Sequence, residues 1–398
     1  MSVAAAPRPP VAIAAYLAVV QFFFALGWIV YVVYLPQLAE QAGMPRHWVP
    51  WLLLADQLVF IATDLAVGLA SDRAARVLGR IGGAVLVVSL LSTAAFAALP
   101  WVAPQGSPVL FALVTLVWVV TTSALRAPPL TLLGRYVAKP EQPMMVAVTG
   151  FGLGIANALA PYLGLQLKGL SPTLPFLVSA GGLALVTLGM VAAERTLARN
   201  AASSAAASTS TVTGPPGPGQ VAGFLAACVI GALAFQWHQS ISSSALLLRH
   251  ATAADLPRLL PVFWVGFNLC LVPAGLLTRR LGAASTMAIG AELAMLGTAG
   301  AAFAPTLDLL LAAQAATGAG WALLLCAAFS GALVMGHTGR EGVMSGALQA
   351  TLALAALARI GIVTTVAPAP AVAVGMAWWP ALAFALCAAL LVRNAVQR

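Results

Sequence analysis

Long apolar runs separated by short polar segments dominate the chain, and this alternation predicts its architecture. A helix that crosses the hydrocarbon core of a bilayer needs about 20 mainly apolar residues. Such runs recur six times on each side of a more polar central segment. The pattern predicts an all-α polytopic membrane protein with twelve transmembrane helices in two sets of six. The predicted spans are 11–35, 49–71, 80–100, 108–133, 144–166 and 173–193, then 221–246, 258–278, 284–304, 307–335, 343–366 and 373–392.

The central segment, residues 194–220, is rich in Ala, Ser, Thr, Gly and Pro and has no periodic apolar face. This composition is typical of a flexible linker. We therefore predict a first six-helix bundle over 1–193, a flexible linker over 194–220 and a second six-helix bundle over 221–398.

Composition supports a membrane protein and argues against a nucleic-acid partner. The chain is 61% hydrophobic and 7% charged, with a mean hydropathy of +0.98, whereas soluble domains average about 25% charged residues. The net charge of +9 comes from basic residues in short loops. Such loops face an anionic lipid leaflet, so the bilayer is the predicted partner of this charge.

The distribution of Lys and Arg predicts the orientation. Thirteen of the nineteen fall in segments on the side that holds both termini and the linker, and four fall on the other side. The excess of positive charge on the cytoplasmic side of membrane proteins then places the termini and linker in the cytoplasm. Short loops and an Ala- and Arg-rich composition favour a bacterial inner membrane.

No signature of catalysis accompanies the spans. The sequence contains no P-loop, HExxH or GxSxG motif, and the four cysteines lie in apolar runs without CxxC spacing. We therefore predict a protein that is not an enzyme and has neither a metal site nor a cofactor.

An internal repeat relates the two halves. The charged segment 64–80 returns in diluted form as 275–282, and segment 141–144 before the fifth span matches 340–344 before the eleventh. Two halves of the same orientation, joined on one side of the membrane, are parallel repeats about an axis along the membrane normal.

These residues resemble the major facilitator superfamily (MFS) of twelve-span secondary transporters. The family's loop between spans two and three has the pattern Asp-x3-Gly-x3-Asp-Arg-x-Gly-Arg, with Ala75 here replacing the second glycine. The residues that match it are Asp64, Gly68, Asp72, Arg73 and Arg76. Arg126 is similar in position to the family's fourth-span arginine, and residues 157–164 resemble a partial Gly-Pro antiporter motif.

The resemblance implies two rigid bundles that rock about a cavity at their interface, with the motif residues Asp64, Gly68, Asp72, Arg73 and Arg76 as a cytoplasmic gate. The position of Asp72 independently favours a gate. Asp72 lies at the C-terminal end of its helix, where a negative charge is unfavourable. Arg73, Arg76 or the N-terminal end of a helix from the other half would be a better partner for it.

Charged residues inside spans are costly, by about 2.5–3.5 kcal/mol on insertion scales, and so are candidates for function. Arg126 and Arg359 could bind an anionic substrate from opposite halves, while Asp56 or Glu292 carries a coupling proton. The alternative is structural ion pairing, such as Arg126 with Asp64.

The first and seventh spans carry the polar and aromatic residues of a candidate substrate site. Gln236 and Gln239 are three residues apart and share a helix face, while His238 is a candidate for substrate binding and for proton coupling. Gln21, Trp28 and Tyr31 are the counterparts in the first span. For Trp28 and Tyr31, an interfacial aromatic belt is an equal alternative.

The predicted function is secondary transport of a small polar solute by alternating access, coupled to a proton, by a monomer. An organic anion is favoured because two buried arginines need partners. A sugar-like neutral solute, efflux of drugs or metabolites, and a receptor that has lost transport remain as alternatives.

Overall fold

The computed structural model describes residues 11–78, 80–205, 216–336, 339–366 and 369–396. Within these ranges the chain is built of helices and has no strand. Ten helices are long and apolar enough to cross a membrane, and two shorter apolar helices, Pro108–Thr122 and Trp379–Arg393, complete a set of twelve in the described part. The prediction of an all-α, twelve-span membrane protein is confirmed.

The first six spans run through the N-terminal half. In order, they are Val11–Gln41, Val49–Leu78, Gly82–Val102, Pro108–Thr122 continued by Pro128–Tyr136, Gln142–Gln166, and Thr173–Thr187 continued by Met190–Ala205. The last six follow in the C-terminal half. They are Pro218–Trp237 continued by Ser243–Leu247, Pro261–Leu281, Ala283–Phe303, Leu307–Met335, Glu341–Thr365 and Trp379–Val396, with short helices at Leu256–Leu259 and Pro370–Gly375.

The two halves pack by the same scheme. The first span contacts the fifth and sixth, and the third contacts the fourth and sixth; the seventh correspondingly contacts the eleventh and twelfth, and the ninth contacts the tenth and twelfth. Between the halves, the second span packs on the eleventh and the fifth packs on the eighth. The inter-half contacts also obey the pseudo-symmetry, as expected of parallel repeats.

Glycine allows several of these helices to approach backbone to backbone. A methyl group on Gly152 of the fifth span would collide with the backbone of Ala18 in the first span, and one on Gly318 would collide with that of Phe263. Lipid offers no hydrophobic drive for helix association, so such close packing supplies much of the attraction.

The predicted linker boundary is wrong at its start. Helix Met190–Ala205 continues through residues assigned to the linker, and the next helix begins at Pro218; residues 206–215 of the predicted linker lie outside the described residues. Glu194 lies at the start of this extension. Its carboxylate accepts hydrogen bonds from the backbone N–H groups of Ile81 (2.9 Å) and Gly82 (2.7 Å), which caps the third span and ties the sixth to it.

Two spans predicted as continuous are interrupted. A 3₁₀ turn at Ser123–Leu125 breaks the fourth span just before Pro128 and Pro129, which begin its second helix. A π-helical turn at His238–Ser242 interrupts the seventh span. Both breaks lie beside candidate functional residues.

Candidate functional site

The second and eleventh spans meet backbone to backbone at one end of the molecule. We call this end, where helices join near residues 78–82 and 336–341, the linker end. Gly68 lies against Gly342, and Gly346 lies against the carbonyl of Asp64, so a Cβ atom at any of the three glycines would collide with backbone. Both halves are therefore in direct contact at the linker end.

Asp72 closes this contact with two hydrogen bonds. Its carboxylate accepts from the backbone N–H groups of Gly342 (2.8 Å) and Val343 (2.9 Å), and the side chain is buried. These N–H groups have no partner within their own helix, because they lie in its first turn. A carboxylate of the first half thus binds a helix N-terminus of the second, the kind of partner that the sequence led us to expect.

Arg73 and Arg76 of the motif are exposed. Arg76 donates through Nε to the backbone carbonyl of Asp72 at 3.3 Å. Arg135 of the fourth span donates to the carbonyl of Ala75 at 3.1 Å. Arg76 and Arg135 therefore bond to the end of the second span, whereas the hydrogen bonds between the halves at this contact are those of Asp72.

The pseudo-symmetric contact has the reverse charge. Gly275 of the eighth span packs on Met144 and Ala147 at the start of the fifth. Arg279, at the position that corresponds to Asp72, forms an ion pair with Glu141 at 3.4 Å, and both side chains are partly exposed. One contact is thus a buried carboxylate on a helix N-terminus, and the other is a solvated ion pair.

These two contacts should differ sharply in strength. Asp72→Asn leaves one N–H donor facing an amide NH₂, and hydrogen bonds to charged groups contribute about 1.5–3 kcal/mol each. Ser345 is buried beside the contact, so the rate at which Ser345→Cys is alkylated reports on opening. We expect Asp72→Asn to raise this rate about tenfold. Arg279→Gln is the matched change in the solvated ion pair, and it should alter the rate of this alkylation by less than about twofold. Equal rates in the two variants would contradict this ranking.

Arg126 joins three spans at the interface of the halves. Its guanidinium forms an ion pair with buried Asp64 at 3.2 Å and lies over the ring of Phe60, 4.4 Å from the ring centre. It also donates to Oε1 of Gln349 in the eleventh span at 3.5 Å, and Gln349 donates back to the carbonyl of Arg126 at 3.4 Å. Its charge is therefore neutralised within the protein, which is the ion-pair alternative considered from the sequence.

The break in the fourth span puts Arg126 in this position. The 3₁₀ turn frees backbone groups just before the arginine, and the side-chain amide of Gln21 donates to the carbonyl of Leu125 at 3.1 Å. Gln21, predicted to bind substrate, is instead engaged in stabilising the break. An unsatisfied carbonyl within the bilayer would cost several kcal/mol.

Arg359 lies in a different place, in a cavity of about 660 Å³. No carboxylate pairs with it in the described part of the chain, which includes all ten acidic residues. Its Nε atom is buried and has no hydrogen-bond partner there. Gln236 and the indoles of Trp237 and Trp379 share the lining, which is otherwise apolar.

This cavity belongs to the C-terminal half alone. Its lining comes from the seventh, eleventh and twelfth spans, with no contribution from the described N-terminal half. The prediction that Arg126 and Arg359 hold one anion from opposite halves is therefore wrong for this conformation. The eleventh span presents Gly342, Gly346 and Gln349 to the second span and the fourth-span break, while Arg359 projects into the cavity.

The π turn separates the polar residues of the seventh span. Gln236 lines the cavity, whereas Gln239 does not, because a π turn rotates the following residues relative to an ideal α-helix. His238 is fully buried, and its Nε2 atom forms a 2.8 Å hydrogen bond with Oε1 of Gln314, whose amide donates to Ser243 at 2.8 Å. The placement of His238 and Gln239 in a substrate cavity is thus not supported.

The aromatic residues of the first span form neither a substrate wall nor an interfacial belt. Tyr31 is fully buried and donates through its hydroxyl to Asp56 at 2.9 Å. Trp28 packs inside the N-terminal half against Tyr31, Phe60 and Trp118, with ring centres 5.5–6.1 Å apart. Asp56 is accordingly a buried carboxyl with a neutral hydroxyl partner.

Glu292 is not placed for proton coupling. It lies near the middle of the ninth span and is exposed on the outside of the helical bundle. The ninth span contacts the tenth and twelfth and contributes no residue to the cavity. Glu292 does lie inside a span, as predicted, but on the face of the ninth span that is turned away from the interior of the bundle.

Gly342, Gly346 and Trp379 were not among the predicted site residues. The two glycines had a usable signal, since Gly342 lies in the segment that repeats at the start of the fifth span. Trp379 had none, because a tryptophan near a span end is equally typical of the membrane interface.

Comparisons with known proteins agree with this architecture. The profile of the Major Facilitator Superfamily matches residues 17–359, and no curated protein matches the sequence. The fold is similar to the human organic anion transporter MFSD10 (TETRAN), with TM-score 0.73, 15% identity, and coverage of 96% of this chain and 100% of that one. It is also similar to a bacterial homologue of the iron transporter ferroportin, with TM-score 0.71, 15% identity, and coverage of 96% of this chain and 99% of that one. The E. coli fucose:proton symporter FucP has TM-score 0.62 and 14% identity, with coverage of 96% of this chain and 98% of that one.

Twelve spans in two pseudo-symmetric bundles, with glycine contacts between the bundles, define a multi-pass membrane transporter of the secondary class. The chain belongs to the Major Facilitator Superfamily.

Proposed function

We propose that this transporter moves organic anions across the inner membrane by alternating access. The observation that carries the proposal is Arg359, a guanidinium without a carboxylate partner in a cavity of transport-substrate size. Arg126 is already neutralised by Asp64. A cation in an apolar, water-poor site favours an anionic ligand, because an unpaired buried charge is costly.

The lining argues against the other substrate classes. A sugar needs many hydrogen-bonding partners, whereas the cavity offers Gln236, the indole N–H of Trp237 or Trp379, and Arg359. A cationic drug needs an acidic group, and the lining contains none. The structurally similar human protein is an organic anion transporter, which supports the same choice; the fucose:proton symporter keeps a sugar as the second candidate.

The contact at the linker end supplies the moving part. In this proposal the linker end is cytoplasmic, as the excess of Lys and Arg predicts. Asp72 and the three glycines close that side in the present conformation. Rocking of the bundles separates the second and eleventh spans, breaks the two hydrogen bonds of Asp72 and opens the cytoplasmic side.

A proton gradient is the proposed energy source, with Asp56 as its carrier. Asp56 is a buried carboxyl whose hydrogen-bond partner, Tyr31, is neutral. Protonation removes its charge without breaking an ion pair, whereas protonation of Asp64 would break its ion pair with Arg126.

Uptake of a labelled aromatic carboxylate, benzoate, into proteoliposomes tests the proposal. We expect saturable counterflow in the wild type, and Arg359→Gln should reduce it at least about tenfold, the loss of one charge-assisted hydrogen bond. Arg359→Lys should retain part of the activity because it keeps the charge. Arg393→Gln, at an exposed position of the twelfth span, is the matched control and should transport normally.

Two results would contradict the proposal. Benzoate counterflow that is unaffected by Arg359→Gln would remove the anion site. Saturable counterflow of a neutral hexose with none of benzoate would favour the sugar alternative, and counterflow of neither would favour a receptor.

A further inference from the structure

The cavity around Arg359 opens on the outside of the bundle rather than between its halves. The eleventh and twelfth spans each pack on the seventh rather than on each other in the described part of the chain. The seventh span therefore forms the floor of a cleft whose walls are the other two. Trp379, Leu382 and Leu386 line the cleft and are 42%, 54% and 52% exposed. In a bilayer, this opening faces lipid.

The polar groups of the cleft share one level along its depth. Arg359 and Gln236 both lie eighteen residues from the linker-end starts of their helices, Glu341 and Pro218, or about 27 Å at 1.5 Å per residue. The twelfth span runs towards the linker end, and Trp379, at its start, lies at the opposite end of the molecule. The polar groups of the lining thus lie together towards the membrane surface opposite the linker end.

The deeper part of the cleft is apolar. Ile230 and Leu233 precede Gln236 on the seventh span, Ala355 precedes Arg359 on the eleventh, and Leu386 lies farther along the twelfth. These residues lie closer to the middle of the membrane than the arginine. The arginine therefore lies in the outer part of a mainly apolar cleft, with Ile241, Ile362 and Met376 of the lining farther out. A cation in this position, with a deeper apolar slot below it, matches one anionic group and one hydrocarbon chain of a lipid leaflet.

We propose that the ligand of this cleft is an anionic amphiphile, a carboxylate or phosphate group on a hydrocarbon chain, which enters sideways from the leaflet opposite the linker end. Arg359 binds the anionic group, Gln236 and the indoles hold it at the polar level, and the chain occupies the deeper apolar part. This inference rests on the proposed function, because it names the substrate class of the same site. It excludes small, strongly hydrated anions as the preferred ligands.

Binding of 2-bromoundecanoate, which carries its bromine beside the carboxylate, to the protein in phosphatidylcholine nanodiscs tests the inference. Bromine quenches indole fluorescence at short range, so the part of the quenching that Trp379→Phe removes comes from bromine beside Trp379 at the polar level of the cleft. We expect saturable quenching by the acid and little by 2-bromoundecanol, which lacks the charge. Arg359→Gln should weaken binding roughly ten- to hundredfold, and Arg393→Gln should not change it.

A second variant covers the case in which Arg359→Gln does not fold. Ala358→Leu narrows the cleft and keeps the arginine, so it should also weaken binding of the brominated acid. Nanodiscs that contain phosphatidylglycerol distinguish the two sources of the ligand. Competition by this lipid indicates a resident lipid headgroup, and its absence indicates a free amphiphile; both support an anionic amphiphile.

Equal quenching by acid and alcohol, or equal binding by wild type, Arg359→Gln and Ala358→Leu, would overturn the inference. If benzoate counterflow still depends on Arg359 in that case, the organic-anion proposal survives and only the lateral amphiphile is rejected. If benzoate counterflow is absent as well, both proposals fail.

Discussion

Gly342→Ala should open the linker end and reduce transport by roughly five- to 150-fold. The added methyl group would meet the carbonyl of Gly68 and the carboxylate of Asp72, neither of which can yield while the two spans stay in contact. Overpacking costs about 1–3 kcal/mol, which corresponds to the stated range when it biases a two-state equilibrium. Faster alkylation of the cysteine at Ser345 should accompany the loss of counterflow.

Helix propensity makes this result diagnostic. Replacing glycine by alanine within a helix normally stabilises the helix by about 1 kcal/mol, so a loss must come from the collision between halves. Gly361→Ala on the same span is the matched control, since its Cβ would have only the side chain of Leu54 at 4.0 Å. Normal transport and unchanged alkylation in Gly342→Ala would show that the contact does not control opening.

Arg126→Gln should destabilise the protein by about 3–5 kcal/mol, because it leaves Asp64 as a buried charge without its partner. Thermal inactivation in detergent, followed by size-exclusion chromatography, should show the loss. Asp64→Asn should cost a similar amount by isolating the arginine. The double variant Asp64→Asn/Arg126→Gln removes both charges and should recover most of the stability.

Recovery of stability in the double variant distinguishes a structural ion pair between Arg126 and Asp64 from an anion-binding role of Arg126. If Arg126 bound substrate, the double variant would stay inactive while added organic anion stabilised the Asp64→Asn protein specifically. If the pair is structural, as its geometry indicates, organic anion should have no larger effect on Asp64→Asn than on the wild type. Additive losses in the double variant would contradict the ion-pair assignment.

The sequence predicted a contact correctly where the charge and position of one residue restricted the kind of group that could bind it. A carboxylate at a helix C-terminus needs a positive partner, and Asp72 has the N-terminus of the eleventh span. The spans themselves followed from apolar length. The alternative pairing of Arg126 with Asp64 was also available, because the two residues have opposite charges and both lie within predicted spans.

What the sequence could not supply is which face of a helix meets which neighbour. Arg359 and Arg126 both lie inside spans, yet packing of the eleventh span on the second directs Gln349 to Arg126 and leaves Arg359 in a separate cavity. The π turn rotates Gln239 away from the face that it would share with Gln236 in an ideal helix. Glu194 lay in a segment of linker-like composition, and its role depends on a helix start distant in sequence.

The central claim is that the two halves rock about their interface, so that the linker end opens as the opposite end closes. Spin labels at the exposed positions Arg73 and Arg340 report on the linker end, and labels at exposed Trp51 and Val366 report on the opposite end of the same two spans. Double electron–electron resonance distances, measured in wild type and Gly342→Ala in a background without native cysteines, should give two populations at each end. The account predicts that Gly342→Ala enriches the longer distance at the linker end and the shorter one at the opposite end. A single distance at the linker end, identical in both proteins, would contradict it.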